Sequence, residues 1–536
     1  MTTPSDTPLP VKRLILCPQD KGGIGKSFIA TLLYDFLIDR AVKVKTFDLD
    51  HANSTFQRYV PEAEFIDTDV DADKLAVLDQ LVSALETVDT VLVDKERGYV
   101  LSLGGVRWNE ADFCRGWEID GRTGSGKTAS GVVPILHALK RNRPGMGILA
   151  LDTKGDLSEP IEAVADDLGC RDDLRQLEVR PDKAPPGWRP PYTFNFLGDT
   201  SLPASTYAKL LVDVATAAGQ KGGQTFFKNA AQVAIQNGMN LLAVLDVPVT
   251  IENCYRLVMD LAELEARIGE LEKVPGPLRD PLLDYFREFK AQPKEQLGGV
   301  RYTVFNYLQP YTVPDIAEVF CPTEPTFDLA EIDLGRLVSV KIPQKYQTEK
   351  RYVSLMLKAL YYLHALRRYD LSGAERARKN LIVGVFDEAQ ESVLLSEDGI
   401  SDYNVIDKIR GARATAIFST QSPTSYIPPM GGRDKADVFR LNLGNKIHFT
   451  AADKDASEMI AESIGKRTIK KRTWSSGSGK RSISWTDDDQ YFIKPHVLRR
   501  LPKHVAVIKH CEQAYRWVRL PPSPFTKPKA IDASRN

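Results

Sequence analysis

Gly121-Arg122-Thr123-Gly124-Ser125-Gly126-Lys127-Thr128 stands between a short strand-like run, Gly116 to Asp120, and a helix-compatible run, Ala129 to Lys140. The spacing is GxxxxGKT throughout, and a strand before it with a helix after it is the setting that gives such a loop physical meaning. Glycines let the backbone wrap an anion, while loop N–H groups and the helix N-terminus supply positive potential. Gly121, Thr123, Gly124, Ser125 and Gly126 are expected to line the phosphates of ATP. Lys127 would reach the β- and γ-phosphates, and Thr128 would ligate Mg²⁺. A glycine turn with a chance lysine is the bland alternative, and agreement of spacing with context weighs against it.

Hydrolysis needs a second element. Leu381-Ile382-Val383-Gly384-Val385-Phe386-Asp387-Glu388 is an apolar strand ending in adjacent acids. Asp387 can hold Mg²⁺ and Glu388 can polarise the attacking water, although acid pairs at strand ends also cap helices. The next strand ends Ser419-Thr420-Gln421, where Gln421 is either a γ-phosphate sensor or a plain loop residue. Arg410 and Arg413, just upstream, suit an arginine finger presented to a neighbouring subunit, or an ordinary solvated pair.

Around these motifs, short apolar runs read as buried parallel strands: Gly147 to Asp152, Leu337 to Ile342, Leu381 to Asp387, Ala414 to Thr420, Lys446 to Thr450 and Val505 to Lys509. Helical patterns between several of them make an α/β fold with a parallel-rich sheet the economical reading. Residues 201–322 break the rhythm, with helices expected over Ala204 to Ala218, Phe226 to Val244, Ile251 to Glu272 and Pro281 to Ala291. They read as an all-α domain inserted into a sheet domain formed by 95–200 and 323–525. The Pro- and Lys-containing tail after Leu520, above all 526–536, has little to bury and reads as flexible.

Residues 1–94 carry a separate β-α-β-α-β pattern: strands Arg13 to Cys17, Val42 to Asp48 and Thr90 to Asp94, with helices Phe28 to Asp39 and Asp73 to Glu86. Its loop, Asp20-Lys21-Gly22-Gly23-Ile24-Gly25-Lys26-Ser27, places a lysine where the first glycine belongs. Gly22, Gly23, Gly25 and Lys26 would hold phosphate and Ser27 the metal, with Lys21 free to neutralise charge across a dimer interface. Asp48, Asp50 and Asp94 could surround metal and water. The pattern stops short of a complete nucleotide-binding domain.

Composition narrows the classes further. The chain has 536 residues, 43% hydrophobic and 26% charged, which fits a multidomain globular protein. Lys plus Arg and Asp plus Glu are equal at 71 each, so no global basic field announces nucleic acid. Six scattered cysteines without a CxxC pair speak against a disulfide framework or a zinc site and fit a reducing cytoplasm. No apolar segment is long enough to be read as a membrane span. The local exception to neutrality is Lys466, Arg467, Lys470, Lys471, Arg472, Lys480 and Arg481 around Trp474 and Ser475-Ser476-Gly477-Ser478-Gly479. A basic, flexible stretch with an aromatic suits a DNA strand; a solvated turn compensated by Asp487, Asp488 and Asp489 fits equally well.

Taken together, the GRTGSGKT loop, LALDTKGDL at Leu149 to Leu157, LIVGVFDEAQ, ATAIFSTQS and NLGNKIHFTAADKDASEMIAESIG resemble the nucleotide-binding domain of TraG/TraD-type conjugative coupling proteins over most of 95–525. The resemblance implies a RecA-like P-loop ATPase with an inserted all-α domain, using ATP and Mg²⁺. Its partners would be single-stranded DNA, the relaxase or relaxosome, and a type IV secretion channel, with the chain itself forming a ring such as a hexamer. By motif position, Lys127, Thr128, Asp387, Glu388 and Gln421 would be the working residues. That family normally begins with transmembrane helices; here CPQDKGGIGKSFIATLL and TFDLDHANSTF stand instead, and over residues 11–94 they resemble the ParA/MinD group, its TraL-like members in particular. A cytoplasmic protein, peripheral at the inner membrane through its partners, is the implied location.

Overall fold

The computed structural model describes residues 13–19, 33–39, 42–48, 60, 64–65, 83–84, 90–96, 99–220, 224–477 and 480–526. Two compact units divide the chain, one comprising 1–102 with 107–110 and the other the remainder.

In the first unit, β1 (Arg13–Gln19), β2 (Val44–Asp48), β3 (Glu64–Phe65) and β4 (Thr90–Glu96) form a parallel sheet in the order β1-β4-β2-β3. β1 and β2 lie on either side of β4, and β2 and β3 pair directly; parallel neighbours joined in sequence need crossover connections. Residues 33–38 are helical, within the helix expected from Phe28 to Asp39. Lys21, Gly22, Gly23, Gly25, Lys26 and Ser27, expected to form a phosphate loop, and Asp50 lie outside the described residues; Asp48 closes β2 and Asp94 lies in β4. A short hairpin, β5 (Leu101–Leu103) and β6 (Val106–Trp108), falls where the chain passes from one unit to the other.

The second unit is built on nine strands: β7 (Trp117–Asp120), β8 (Gly147–Asp152), β9 (Leu174–Glu178), β10 (Leu337–Lys341), β11 (Ile382–Asp387), β12 (Ala414–Thr420), β13 (Asn445–His448), β16 (Val505–Lys509) and β17 (Arg516–Arg519). Their order is β17-β16-β13-β7-β12-β11-β8-β10-β9, parallel from β13 to β9 and antiparallel at β16 and β17. β8, β11 and β12 are buried along their whole length, which is why each reads as a continuous apolar run rather than an alternating one. β9 and β17, at the two edges, escaped the reading because Leu174-Arg-Gln-Leu-Glu and Arg516-Trp-Val-Arg carry the polar residues that edge strands tolerate.

Among the described residues of 201–322 there are helices and no strand. Ala204–Ala218, Thr225–Val244 and Arg279–Ala291 fall within two residues of expectation. The expected helix Ile251 to Glu272 is two, Ile251–Met259 and Leu261–Leu271, because Asp260 takes an extended conformation and caps the second by accepting from the N–H groups of Ala262 and Glu263. Lys294–Leu308 was missed: Gly298-Gly299 reads as a break, yet a side chain at 299 would collide with the ring of Phe227. These helices share one continuous core with the sheet, joining Leu211, Leu242, Leu257 and Val304 to Leu149, Leu151 and Phe386.

Two expectations are corrected. The basic stretch is not a flexible loop: β14 (Lys466–Gly477) pairs antiparallel with β15 (Lys480–Tyr491) through the Ser475-Ser476-Gly477 segment itself. The register sets Lys470 opposite Asp487 and Thr468 opposite Asp489, whose carboxylate accepts from the threonine hydroxyl, so the acids do compensate the base of the hairpin. Nor does the chain come loose at Leu520. Residues 521–526 pack down, with Ser523 buried and the Phe525 ring 5.2 Å from that of His137.

Candidate active site

The parallel register aligns strand ends. Asp152 of β8 lies beside Asp387 of β11, and Asp120 of β7 beside Thr420 of β12. Whatever follows each of these residues emerges at one edge of the sheet: the glycine loop after β7, Lys154 after β8, Glu388 after β11 and Gln421 after β12. Such an edge is where α/β proteins bind their ligands.

In the loop, Gly124 and Gly126 have φ of 80° and 102°, left-handed values that a side chain would oppose. Lys127–Val132 then opens the helix as a π-turn, with the Val133 N–H reaching back to the Thr128 carbonyl. In that pattern the Ala129 carbonyl would receive its bond from residue 134, which is proline and has no N–H. The Ser523 N–H fills the vacancy at 2.7 Å, which is what holds down the tail. His504 adds two more bonds: its N–H donates to the Ser125 carbonyl at 3.0 Å and its Nδ1 meets the Ser130 hydroxyl at 2.8 Å. His504 has a φ of 65° and its ring lies against Gly126, leaving no room there for a Cβ.

Side chains from four segments converge. The Lys127 ammonium lies 3.3 Å from Glu388 Oε1 and 3.7 Å from Asp387 Oδ1, and the Thr128 hydroxyl donates to Asp387 Oδ2 at 3.2 Å. Lys154 Nζ donates to Glu388 Oε1 at 2.6 Å; Gln390 and Gln421 donate to Oε2 at 2.8 and 3.1 Å. Burial would raise the Glu388 carboxyl, but Lys127 and Lys154 outweigh it and hold the group at about 2. Asp152 is pushed up to about 6 by burial and by the neighbouring Asp387. Carboxylate oxygens of Asp152, Asp156 and Asp387 lie within 4.8 Å of one another, a donor set suited to a hard divalent cation. The Ser125 hydroxyl, buried in the loop, has no protein partner, as expected of a group that faces a phosphate.

Gly121, Thr123, Gly124, Ser125, Gly126, Lys127, Thr128, Asp387, Glu388 and Gln421 thus gather at one edge. Arg410 and Arg413 do not. They precede β12 and so lie at the other end of a seven-residue strand, about 20 Å away. Lys154, Asp152, Asp156, Gln390 and His504 were not singled out from the sequence. Asp152 is the acid that ends an apolar strand, the same signal that exposed Asp387, and Lys154 and Asp156 follow it; His504 carries no local signal.

Residues 384–503 match the family described as the TraM recognition site of TraD and TraG. Among curated proteins none matches the chain by sequence. Solved structures bear on the fold, which is RecA-like. The conjugative coupling protein TrwB in its unbound monoclinic form aligns with a TM-score of 0.55 at 15% identity, over 80% of this chain and 89% of that one. TrwB with ADP and Mg²⁺ gives 0.56 at 14%, covering 80% and 91%, and TrwB with a non-hydrolysable ATP analogue 0.56 at 15%, covering 80% and 90%. The chain is similar to coupling proteins of the TraG/TraD type. Among the described residues no helix is long and apolar enough to cross a membrane.

Proposed function

We propose that this protein is an ATP-hydrolysing coupling ATPase of conjugative DNA transfer that moves single-stranded DNA. The convergence of Lys127, Thr128, Asp387, Glu388 and Gln421 on one sheet edge carries the reading, and the likeness to TrwB, solved with ADP and Mg²⁺, supports it. The residues present fit MgATP. Lys127 would exchange its two carboxylates for β- and γ-phosphate oxygens, Thr128 and Asp387 would hold Mg²⁺, and Gln421 would sense the γ-phosphate. Bound Mg²⁺ supplies charge neutralisation at the transferring phosphoryl group. Glu388 orients and polarises the attacking water. Lys127→Ala should weaken nucleotide binding in a titration, because it deletes the cation facing the phosphates.

Arg410 and Arg413 would act on the site of an adjacent subunit in a ring. Sedimentation with an ATP analogue and single-stranded DNA should therefore show higher oligomers. The DNA contact falls to the β14–β15 hairpin. From Lys471 to Thr486 it carries Lys471, Arg472, Lys480 and Arg481 and no carboxylate. Its register places Trp474 with Ile483 and Arg472 with Trp485, and Trp485 is 63% exposed. Relaxosome proteins are the expected partners of the segment matched by the TraM-recognition family. Residues 201–322 serve as an inserted helical domain, and the ParA-like residues 11–94, with Lys21 and Lys26, as an accessory nucleotide site. Deleting residues 1–94 should leave most of the hydrolysis intact.

Steady-state hydrolysis with and without single-stranded DNA is the deciding experiment: stimulation is expected. Nucleotide binding without DNA-stimulated turnover would favour a switch or scaffold that holds relaxosome components and moves nothing.

A further inference from the structure

Beside the active site, the ends of β8, β10 and β11 open into a cavity of about 840 Å³. Its wall carries three cations, Lys154, Lys350 and Arg351, against a single carboxylate, Glu391, with Gln347 and Gln390 among the polar groups between them. Lys350 is only 4% exposed, and its ammonium has no protein hydrogen-bond partner. Burial lowers its hold on a proton and outweighs the partial compensation from Asp152, Glu391 and Asp156, none of which is hydrogen-bonded to it. Arg351 gives one guanidinium nitrogen to the Ala217 carbonyl at 3.2 Å and leaves its Nε unpaired. A buried ammonium and a half-used guanidinium in a polar cavity are unfavourable unless an anion completes them.

Lys154 connects this cavity to the catalytic glutamate. It lines the wall, yet its ammonium is spent on Glu388 Oε1 at 2.6 Å. With Lys127 on the same oxygen, and Gln390 and Gln421 on the other, both oxygens of Glu388 are occupied. A carboxylate so engaged is a poor acceptor for a proton from water.

We propose that the cavity binds a phosphate group on Lys350, Arg351 and Lys154, and that drawing Lys154 away from Glu388 is what releases the glutamate for hydrolysis. The inference rests on the ATPase reading given above and adds to it the device by which a phosphate-bearing strand switches turnover on. The backbone of a nucleic acid and free inorganic phosphate share the required chemistry. Because the two sites share Lys154, occupancy of one must change the affinity of the other.

The test is steady-state ATP hydrolysis by the full chain with no addition, with a thymidine oligonucleotide and with inorganic phosphate, for wild type, Lys154→Met and Lys350→Met/Arg351→Gln. Wild type should be stimulated by roughly 5- to 150-fold, the usual span of site coupling; which addition does so identifies the source of the phosphate. Lys154→Met should turn over faster than wild type without any addition and respond little further. Lys350→Met/Arg351→Gln should keep the basal rate and lose the stimulation, and Lys350→Arg, which retains the charge, should restore it if folding is intact by thermal melt. Stimulation of the double variant equal to wild type, or loss of all turnover in Lys154→Met, overturns the proposal while leaving the ATPase reading in place. Absence of hydrolysis in wild type under every condition overturns that reading itself.

Discussion

Glu118 and Glu388 look alike on paper: each is a buried carboxylate facing two cations. Glu118 lies within β7, where Lys446 is its register partner on β13 at 2.8 Å and Arg440 Nε reaches it at the same distance. All three are buried, and the two cations hold the Glu118 carboxyl well below the usual range despite its burial. Glu388 lies just past a strand end in a left-handed conformation, φ 48° and ψ 45°. Its cations are the phosphate-loop lysine and a lysine whose side chain is 45% exposed. The first cluster closes on itself and fixes how β7, β13 and the helix Arg433–Leu441 pack. The second is built from parts that can exchange partners, and its backbone strain is of the kind that gathers at functional sites.

That contrast can be broken by substitution. Glu388→Gln keeps shape and removes the charge proposed to activate water, so turnover should fall roughly 10²- to 10⁴-fold, about 3–5 kcal/mol of barrier. The melting temperature should fall less than in Glu118→Gln, because Lys154, with its side chain 45% exposed, can turn to water. Glu118→Gln should do the reverse, leaving Arg440 and Lys446 uncompensated at a cost of about 3–5 kcal/mol of stability by denaturant unfolding. Turnover per folded molecule should stay near wild type. If Glu118→Gln destroys activity without loss of stability, the division between the two glutamates is wrong.

Acid sharpens the same division. Because the folded-state Glu118 carboxyl is depressed, its stabilisation is fully present above the unfolded value of about 4.3 and is lost as pH falls toward the folded one. Thermal melts should therefore drop steeply below about pH 4 for wild type, with a shallower slope in Glu118→Gln. The smallest effect is expected at His504, which holds the phosphate loop in front of Glu388. His504→Ala removes the contact to the Ser130 hydroxyl and should cost about 1 kcal/mol. Isothermal titration should show weaker nucleotide binding alongside. Unchanged binding would mean that His504 merely covers the loop.

The amino-acid sequence by itself determined the central strands of the sheet and their ends. Apolar runs of β8, β11 and β12 terminate in Asp152, Asp387 and Thr420, and the GxxxxGKT spacing names its own ligand chemistry, because short-range patterns of this kind follow from backbone geometry alone. Tertiary structure alone decided what those ends touch. That Lys154 reaches across 234 residues to Glu388, that His504 reaches back 374 to Ser130, and that Ser523 replaces the N–H denied by Pro134 are contacts between segments with no local periodicity. The β14–β15 hairpin shows the same limit from the other side. Its serines and glycines have turn propensity, and cross-strand pairing of Lys470 with Asp487 and of Arg472 with Trp485 overrides it, since strand stability lies in partners rather than in the segment.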